Sequence, residues 1–190
     1  MLHRRHLLAA GLVFGTGAAR AQSPASSPIL DALADGDTVA LIRHADAPGT
    51  GDPPGFRLGD CTTQRNLGDR GREGAAALGA ALREAGVLVT EVRSSRWCRA
   101  LDTARLAFPN RPTVPDAALD SFFDDRRDEP DRTAQVRRLV AGWARRQGVL
   151  ALVTHQVNVT ALAGISPVPG EIVVLRPKVT GFDVVGRWSP

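Results

Sequence analysis

The stretch DTVALIRHADAPG, residues 37–49, joins an apolar run to an arginine and a histidine and then breaks into Asp, Pro and Gly. Residues 37–44 are β-branched and mostly apolar, which predicts a buried strand. The composition of residues 45–60 predicts a long loop, and such loops in compact domains are usually functional or mobile. A second segment, VLALVTH at 149–155, repeats the design. The chain therefore has two apolar strands that each finish in a histidine.

Helical and strand patterns alternate along most of the chain. Apolar residues at helical spacing predict helices, and β-branched runs predict strands. The predicted helices are 29–36, 69–86, 97–108, 131–148 and 156–164, and the predicted strands are 37–44, 87–95, a short piece at 113–114, 149–155, 170–177 and 181–188, the last two as an antiparallel pair. This alternation predicts an α/β fold: a three-layer α/β/α sandwich with a mostly parallel central sheet.

The first 21 residues have the three-part pattern of a secretory signal peptide. MLHRRH is basic, LLAAGLVFGTGA is apolar, and ARA before Gln22 fits a small-x-small cleavage site. The apolar run is shorter than the ~20 residues that a bilayer span needs. We therefore expect a signal peptide at 1–21, a single domain at 22–190 without a transmembrane segment, and a periplasmic or secreted location. An uncleaved anchor and a buried first helix are the alternatives, and the paired arginines leave a twin-arginine export route open.

Charge and cysteine content narrow the function classes. The formal net charge is +4, and loss of the three signal-peptide arginines leaves a mature chain near +1. Bulk charge gives no reason to expect nucleic-acid or membrane binding, so an anion site must be local. A closed zinc site needs about four Cys or His ligands, so we expect no metal site. In an oxidising compartment Cys61 and Cys98 are expected to form a disulfide, with two free buried thiols as the alternative.

Both histidines that remain after signal cleavage, His44 and His155, follow strands that we expect to be parallel. Ligands of open α/β sheets bind beyond the carboxyl ends of such strands. Arg43 precedes the first histidine, and Arg99 lies near the start of the helix after another strand. Guanidiniums bind phosphate oxygens bidentately, and neutral imidazole is a nucleophile near pH 7. We therefore expect His44 to accept a phosphoryl group that the other three side chains bind; purely structural histidines are the alternative.

These segments resemble the histidine phosphatase superfamily, which has the phosphoglycerate mutase-like fold. The family opens with Arg-His-Gly at a strand end, and LIRHA at 41–45 has alanine in place of the glycine. SRWCRALDTA at 95–104 resembles its Ser-x-x-x-Arg-Ala-x-x-Thr-Ala pattern, and LVTHQVN at 152–158 resembles its second histidine segment. QRNLGDRGREGAAALG at 64–79 resembles the start of a family helix. The residues of these motifs are most similar to those of exported bacterial members of the family's smaller branch.

The resemblance implies a phosphomonoesterase that forms a phosphohistidine and needs no metal or organic cofactor. Its partner would be a small phosphorylated substrate or a phosphorylated envelope glycolipid. Many members carry a glutamate general acid after a Leu-Asn-Glu segment, whereas LDSFFDD at 119–125 has Ser121 at that position. We take Asp124 as the proton donor, with Asp120 and Asp125 as alternatives. By the same analogy, Arg65 is expected to reach the phosphate.

Two other functions stay open. One is a phosphate-binding module of the same fold that has lost its acid and does not turn over. The other is a structural envelope protein in which the strand-end histidines have no chemical role. The missing glutamate favours the binding module, whereas the intact Arg-His, Arg and His set favours the enzyme.

Overall fold

The computed structural model describes residues 27–190, so the predicted signal peptide lies outside the described residues. Residues 27–190 form five helices and six strands. The helices are α1 (Pro28–Ala34), α2 (Asp69–Glu84), α3 (Cys98–Ala107), α4 (Glu129–Ala141) and α5 (Gln156–Ala163), and the strands are β1 (Thr38–Arg43), β2 (Val89–Ser94), β3 (Thr113–Pro115), β4 (Val149–Thr154), β5 (Ile172–Pro177) and β6 (Phe182–Trp188). Within this part of the chain, none of the helices is both long and apolar enough to cross a bilayer.

The six strands form one sheet in the order β3-β2-β4-β1-β5-β6. The first four strands of that order are parallel, and β5 and β6 add an antiparallel pair at one edge. The expected mostly parallel sheet and closing antiparallel pair are confirmed. β1 and β4 lie side by side, and the register pairs Arg43 with Thr154. Each strand is followed directly by its histidine, so both histidines leave the sheet at the same edge.

Helices cover both faces of the sheet, which confirms the expected three-layer sandwich. Alternate residues of β1 enter opposite layers because strand side chains alternate in direction. Ala40 and Ile42 pack with α1, α2 and α3, whereas Val39 and Leu41 pack with α4 and α5. From Val39 to Ile42, β1 is therefore apolar on both faces, and its first charged side chain, Arg43, appears where the strand leaves the core.

The predicted helix at 131–148 is wrong in its limits. α4 starts earlier, at Glu129, because a proline in the first turn needs no hydrogen bond from its nitrogen. It ends earlier because Gly142 is its C-cap and the chain then turns through Arg145, which has a φ of 65°. The apolar pattern continues beyond the helix because the buried Trp143 packs into the same core.

Candidate active site

The segments that follow β1, β2 and β4 line a cavity of about 340 Å³ at the carboxyl edge of the parallel strands. All six residues predicted to bind or transfer phosphate line this cavity: Arg43, His44, Arg65, Arg99, Asp124 and His155. Within residues 27–190, no group of three or more His, Cys, Asp or Glu side chains is arranged to hold a metal ion. The ionisable groups that line the cavity are imidazoles, guanidiniums and carboxylates.

His44 is buried and held by the backbone of its own neighbour. Its Nδ1 lies 2.8 Å from the carbonyl oxygen of Ala45. Because a carbonyl oxygen only accepts, Nδ1 carries the hydrogen and Nε2 is left with a free lone pair. Burial, and then the charges of the nearby arginines, lower the pKa of His44 to about 3. At neutral pH the side chain is therefore a neutral imidazole, which is the nucleophilic form.

Arg43 and Arg99 each present a buried donor without a partner. Nη1 of Arg43 donates to the carbonyl oxygen of Pro167 at 2.8 Å, and Arg99 donates to the Asp52 carboxylate through both Nη1 (2.8 Å) and Nη2 (3.1 Å). The Nε atoms of both arginines are buried and have no hydrogen-bond partner within residues 27–190. A buried donor without a partner costs free energy. Both side chains line the cavity, so their positive charges attract an anion that enters it.

Arg65 belongs to the closing loop, residues 44–68 between β1 and α2, which lines one side of the cavity. Its Nε donates to the carbonyl oxygen of Gly51 at 2.8 Å, and its Nη1 donates to the carbonyl oxygen of Ala47. Burial, followed by the charge of Arg99, lowers its pKa. The side chain therefore holds the loop in place and adds positive charge to the cavity, with part of its donor capacity already used.

Asp52 is a site residue that the sequence analysis missed. Its side chain is 2% exposed, and its carboxylate accepts hydrogen bonds from Arg99, from Nε1 of Trp97 (2.9 Å) and from the backbone N–H of Arg65 (3.0 Å). Burial opposes ionisation, but these hydrogen bonds, that of Arg99 first, hold the pKa of Asp52 below its usual range. An aspartate beside glycine and two prolines is typical of a turn. The one signal that could have identified Asp52 is the expected burial of Arg99, because a buried guanidinium needs a carboxylate partner.

His155 is held by side chains rather than by the backbone. Its Nε2 lies 2.8 Å from Oγ of Ser95, which lies 3.3 Å from Oδ1 of Asp120. Its ring meets the ring of His44 edge to face, with 5.3 Å between centroids. Burial, and then the charges of the nearby arginines, lower its pKa well below 6.5. At neutral pH His155 is therefore also a neutral imidazole.

The structure separates the three candidate proton donors. Asp124 and Ser121 both line the cavity. Asp125 is paired with Arg127 on the surface, and hydrogen bonds from that arginine lower its pKa to about 2. Asp120 is fully buried behind His155, so it cannot reach a leaving group in the cavity. Of the three carboxyl groups, only that of Asp124 lines the cavity.

Cys61 and Cys98 are joined by a disulfide. Cys98 is the first residue of α3, immediately before Arg99, and its backbone N–H donates to Oε1 of Gln64 at 3.0 Å. The disulfide therefore ties the loop that carries Asp52 to the helix that carries its guanidinium partner.

Comparison with known proteins gives a match of fold. No family model and no curated protein matches the chain. The protein histidine phosphatase SixA, solved with tungstate, is 17% identical with a TM-score of 0.60, covering 80% of this chain and 97% of SixA. A mycobacterial glucosyl-3-phosphoglycerate phosphatase, solved with VO3, is 17% identical with a TM-score of 0.60, and the match covers 80% of this chain and 98% of that protein. A phosphoserine phosphatase mutant from Entamoeba histolytica, solved with phosphoserine, is 12% identical with a TM-score of 0.58, and the match covers 79% of this chain and 95% of that protein.

These similarities show that the chain has the α/β fold of the phosphoglycerate mutase-like histidine phosphatases. Identity this low establishes the fold alone, since one fold can host unrelated functions. The activity must therefore be argued from the cavity itself.

Proposed function

We propose that this chain is a phosphomonoesterase that transfers the phosphoryl group of its substrate to Nε2 of His44 and then to water. One observation carries the proposal. A neutral imidazole with a free Nε2 shares a cavity with the guanidiniums of Arg43, Arg65 and Arg99. A nucleophile and a cluster of positive charge thus lie in one cavity, as phosphoryl transfer requires.

In the first step, Nε2 of His44 forms a bond to phosphorus as the bond between phosphorus and the leaving oxygen breaks. We assign to Asp124 the transfer of a proton to that oxygen, so the alcohol leaves neutral. In the second step, water attacks phosphorus, the phosphorus–nitrogen bond breaks, and the water proton returns to Asp124. Inorganic phosphate leaves, and both side chains regain their starting states.

Arg43, Arg99 and His155 would bind the non-transferring oxygens. Phosphoryl transfer needs charge stabilisation and positioning more than covalent help from the protein. Asp52 and the carbonyl oxygen of Pro167 hold the two guanidiniums from one edge. The donors are therefore fixed before the substrate arrives, which limits the reorganisation needed in the transition state.

The substrate would be a small phosphomonoester, or a phosphorylated envelope glycolipid whose head group enters the cavity. The cavity volume of about 340 Å³ and structural neighbours described as phosphatases of phosphoserine and of glucosyl-3-phosphoglycerate support this class. The sequence pattern of residues 1–21 and the disulfide support an exported protein in an oxidising compartment.

A catalytically inactive phosphate-binding module is the second candidate. The observation in its favour is Ser121, which lines the cavity where the family resemblance calls for a glutamate. Such a module would bind phosphate through the same arginines without releasing product.

The test is hydrolysis of a panel of sugar, inositol, aryl and amino-acid phosphates in the presence of a chelator. The wild type is compared with His44→Ala and with Asp102→Ala, an exposed aspartate of α3. We expect turnover in wild type and Asp102→Ala and none in His44→Ala. Absence of wild-type turnover, with phosphate raising the thermal unfolding midpoint, would support the binding module. Turnover that chelator abolishes would contradict metal independence, and equal turnover in all three would contradict the role of His44.

A further inference from the structure

Three buried side chains form a row that leads away from the cavity. His155 binds Ser95 through Nε2, and Ser95 binds Asp120. Ser95 and Asp120 are fully buried, and His155 is 3% exposed. Phosphoryl transfer as described above uses neither Ser95 nor Asp120, although burying polar side chains costs free energy unless they are hydrogen-bonded.

Both carboxyl oxygens of Asp120 act as hydrogen-bond acceptors. Oδ2 accepts from Nε of Arg96 at 2.8 Å and from Nη2 of the same side chain at 2.5 Å, and Nη1 of Arg132 lies 3.4 Å away. Oδ1 accepts from the backbone N–H of Arg96 at 2.9 Å. Because the oxygen that faces Ser95 is already an acceptor, Ser95 is the donor in the bond between these two side chains.

The hydrogen-bond capacity of Ser95 then decides the state of His155. A serine hydroxyl has one hydrogen to donate and two lone pairs. The hydrogen goes to Asp120, and one lone pair accepts from the backbone N–H of Trp97 at 3.3 Å. The remaining lone pair faces Nε2 of His155, which must therefore carry a hydrogen. In neutral His155, Nδ1 is left bare.

A bare Nδ1 conflicts with oxyanion binding. No residue in the described part of the chain hydrogen-bonds Nδ1, so it is the nitrogen left for a ligand in the cavity that His155 lines. Its lone pair would repel a phosphoryl oxygen, whereas a hydrogen there would donate to that oxygen. Binding of a phosphoryl dianion therefore requires that Nδ1 of His155 take up one proton.

The charges around His155 explain why the proton arrives with the anion. The titratable and charged groups that face His155 or its partners, or line its cavity, are Arg43, His44, Asp46, Asp52, Arg65, Arg96, Arg99, Asp120, Asp124 and Arg132. Among them the nearby arginines, Arg99 first, oppose an imidazolium at His155 until an anion neutralises them. On the opposite side, Ser95 accepts from Nε2 and donates to Asp120, so the hydrogen on Nε2 stays in place when Nδ1 gains one.

We propose that Ser95 and Asp120 are positioning residues that hold His155 with its hydrogen on Nε2, so that oxyanion binding places a second hydrogen on Nδ1. The proposal rests on the proposed function, because the anion in question is the phosphoryl group. In this proposal His155 binds its second proton when the ligand binds and releases it when the ligand leaves. Protonation of the leaving group is still assigned to Asp124.

Calorimetry with tungstate tests the proposal. Tungstate is a dianion that does not itself titrate near pH 8, unlike inorganic phosphate. Titrations in two buffers of different ionisation enthalpy give the number of protons taken up on binding. For wild type we expect about one proton per site and an affinity that falls about 10-fold per pH unit above neutrality.

Asp120→Asn gives the sharpest comparison. The new amide can donate to Ser95, which turns the serine hydroxyl towards Nε2 and moves the imidazole hydrogen to Nδ1. We expect proton uptake to fall close to zero and the affinity to become independent of pH. Arg132→Gln is the matched control, because it removes a charge beside Asp120 and leaves the bond between Asp120 and Ser95 intact. We expect wild-type uptake in that variant.

Wild-type binding without proton uptake would overturn the proposal and leave the proposed phosphatase intact. Failure of wild type to bind tungstate would overturn both. If Asp120→Asn does not fold, nitrogen NMR of labelled histidine in the ligand-free wild type decides instead, with the signals assigned against His155→Gln. A bare Nδ1 at residue 155 supports the proposal, and a protonated Nδ1 with bare Nε2 overturns it.

Discussion

His44 and His155 face each other across 5.3 Å, and their rings are anchored in opposite ways. His44 binds a carbonyl oxygen one residue along the chain, whereas His155 binds Ser95, which lies 60 residues away in sequence. The first anchor is local backbone and survives almost any substitution. The second needs several elements of the fold in place. The nucleophile is thus fixed locally, while its partner depends on tertiary structure.

The two arginines repeat this contrast. Arg43 is held by a backbone carbonyl, and Arg99 is held by the buried carboxylate of Asp52. Substitutions can remove Asp52 but not the carbonyl of Pro167. Substitutions of the anchoring residues should therefore have their main effect on the side of the cavity formed by Arg99 and His155.

The largest expected effect separates the two histidines. His44→Ala should lower kcat/KM for a phosphomonoester by about 10⁴-fold or more, because no nucleophile remains. His155→Ala should cost about 10²–10³-fold, the range for loss of one group that stabilises an oxyanion. Steady-state kinetics with one aryl phosphate measures both. Equal losses would mean that the two side chains do not have the distinct roles assigned to them.

The next effect concerns the anchors of the arginines. Asp52→Ala should lower the free energy of unfolding by about 3–5 kcal/mol, because it leaves the buried charge of Arg99 unpaired. It should also lower kcat/KM by about 10²-fold, since the guanidinium loses its orientation. Urea unfolding and kinetics measure these losses.

Asp102→Ala is the control for that experiment, because Asp102 is 44% exposed and its contact with Arg105 is a surface pair at 3.5 Å. We expect it to change stability by less than about 1 kcal/mol. An Asp52 variant as stable as this control would contradict a structural charge pair at Arg99.

Reduction of the disulfide should have a smaller effect, confined to the same side of the cavity. A double Cys61→Ser and Cys98→Ser variant should lose about 2–5 kcal/mol of unfolding free energy, because the unfolded chain regains loop entropy. KM should rise more than kcat falls, since the closing loop is freed while His44 keeps its backbone anchor. Unchanged KM would show that the disulfide does not hold the loop for binding.

The smallest effect is a difference in slope with pH. The folded-state pKa of His44 is depressed to about 3, so between pH 3 and 6.5 the unfolded chain binds more protons at this residue. Stability from this group is therefore complete above pH 6.5 and is lost as the pH falls, by about 1.4 kcal/mol per pH unit. His44→Gln should show a shallower decline in urea unfolding over pH 4–6. Parallel curves would contradict the depressed pKa.

The sequence predicted the parts of the site that follow from strand order. Two apolar runs that end in histidine place His44 and His155 at one edge of a parallel sheet, and the same rule brings in Arg43 and Arg99. The six strands and the three layers follow from the same alternation of patterns.

The sequence did not predict Asp52 or the pairing of Ser95 with Asp120. In sequence, Asp52 and Asp120 lie in turn-rich segments, where aspartate is common for local reasons, and Ser95 only closes a predicted strand. Their roles arise only when a closing loop or a neighbouring strand buries them against a charge. The end of α4 was missed for a similar reason, because Trp143 continues the apolar pattern after the helix has ended.

The central claim is that His44 carries the phosphoryl group, and trapping the intermediate tests it most directly. Wild type mixed with a ³²P-labelled phosphomonoester and quenched within milliseconds should retain label that is stable in base and lost in acid, as expected for a phosphorus–nitrogen bond. Peptide mapping should place that label on His44, and His44→Ala should retain none. Label on another residue, or product release with no labelled protein at any time, would contradict the account.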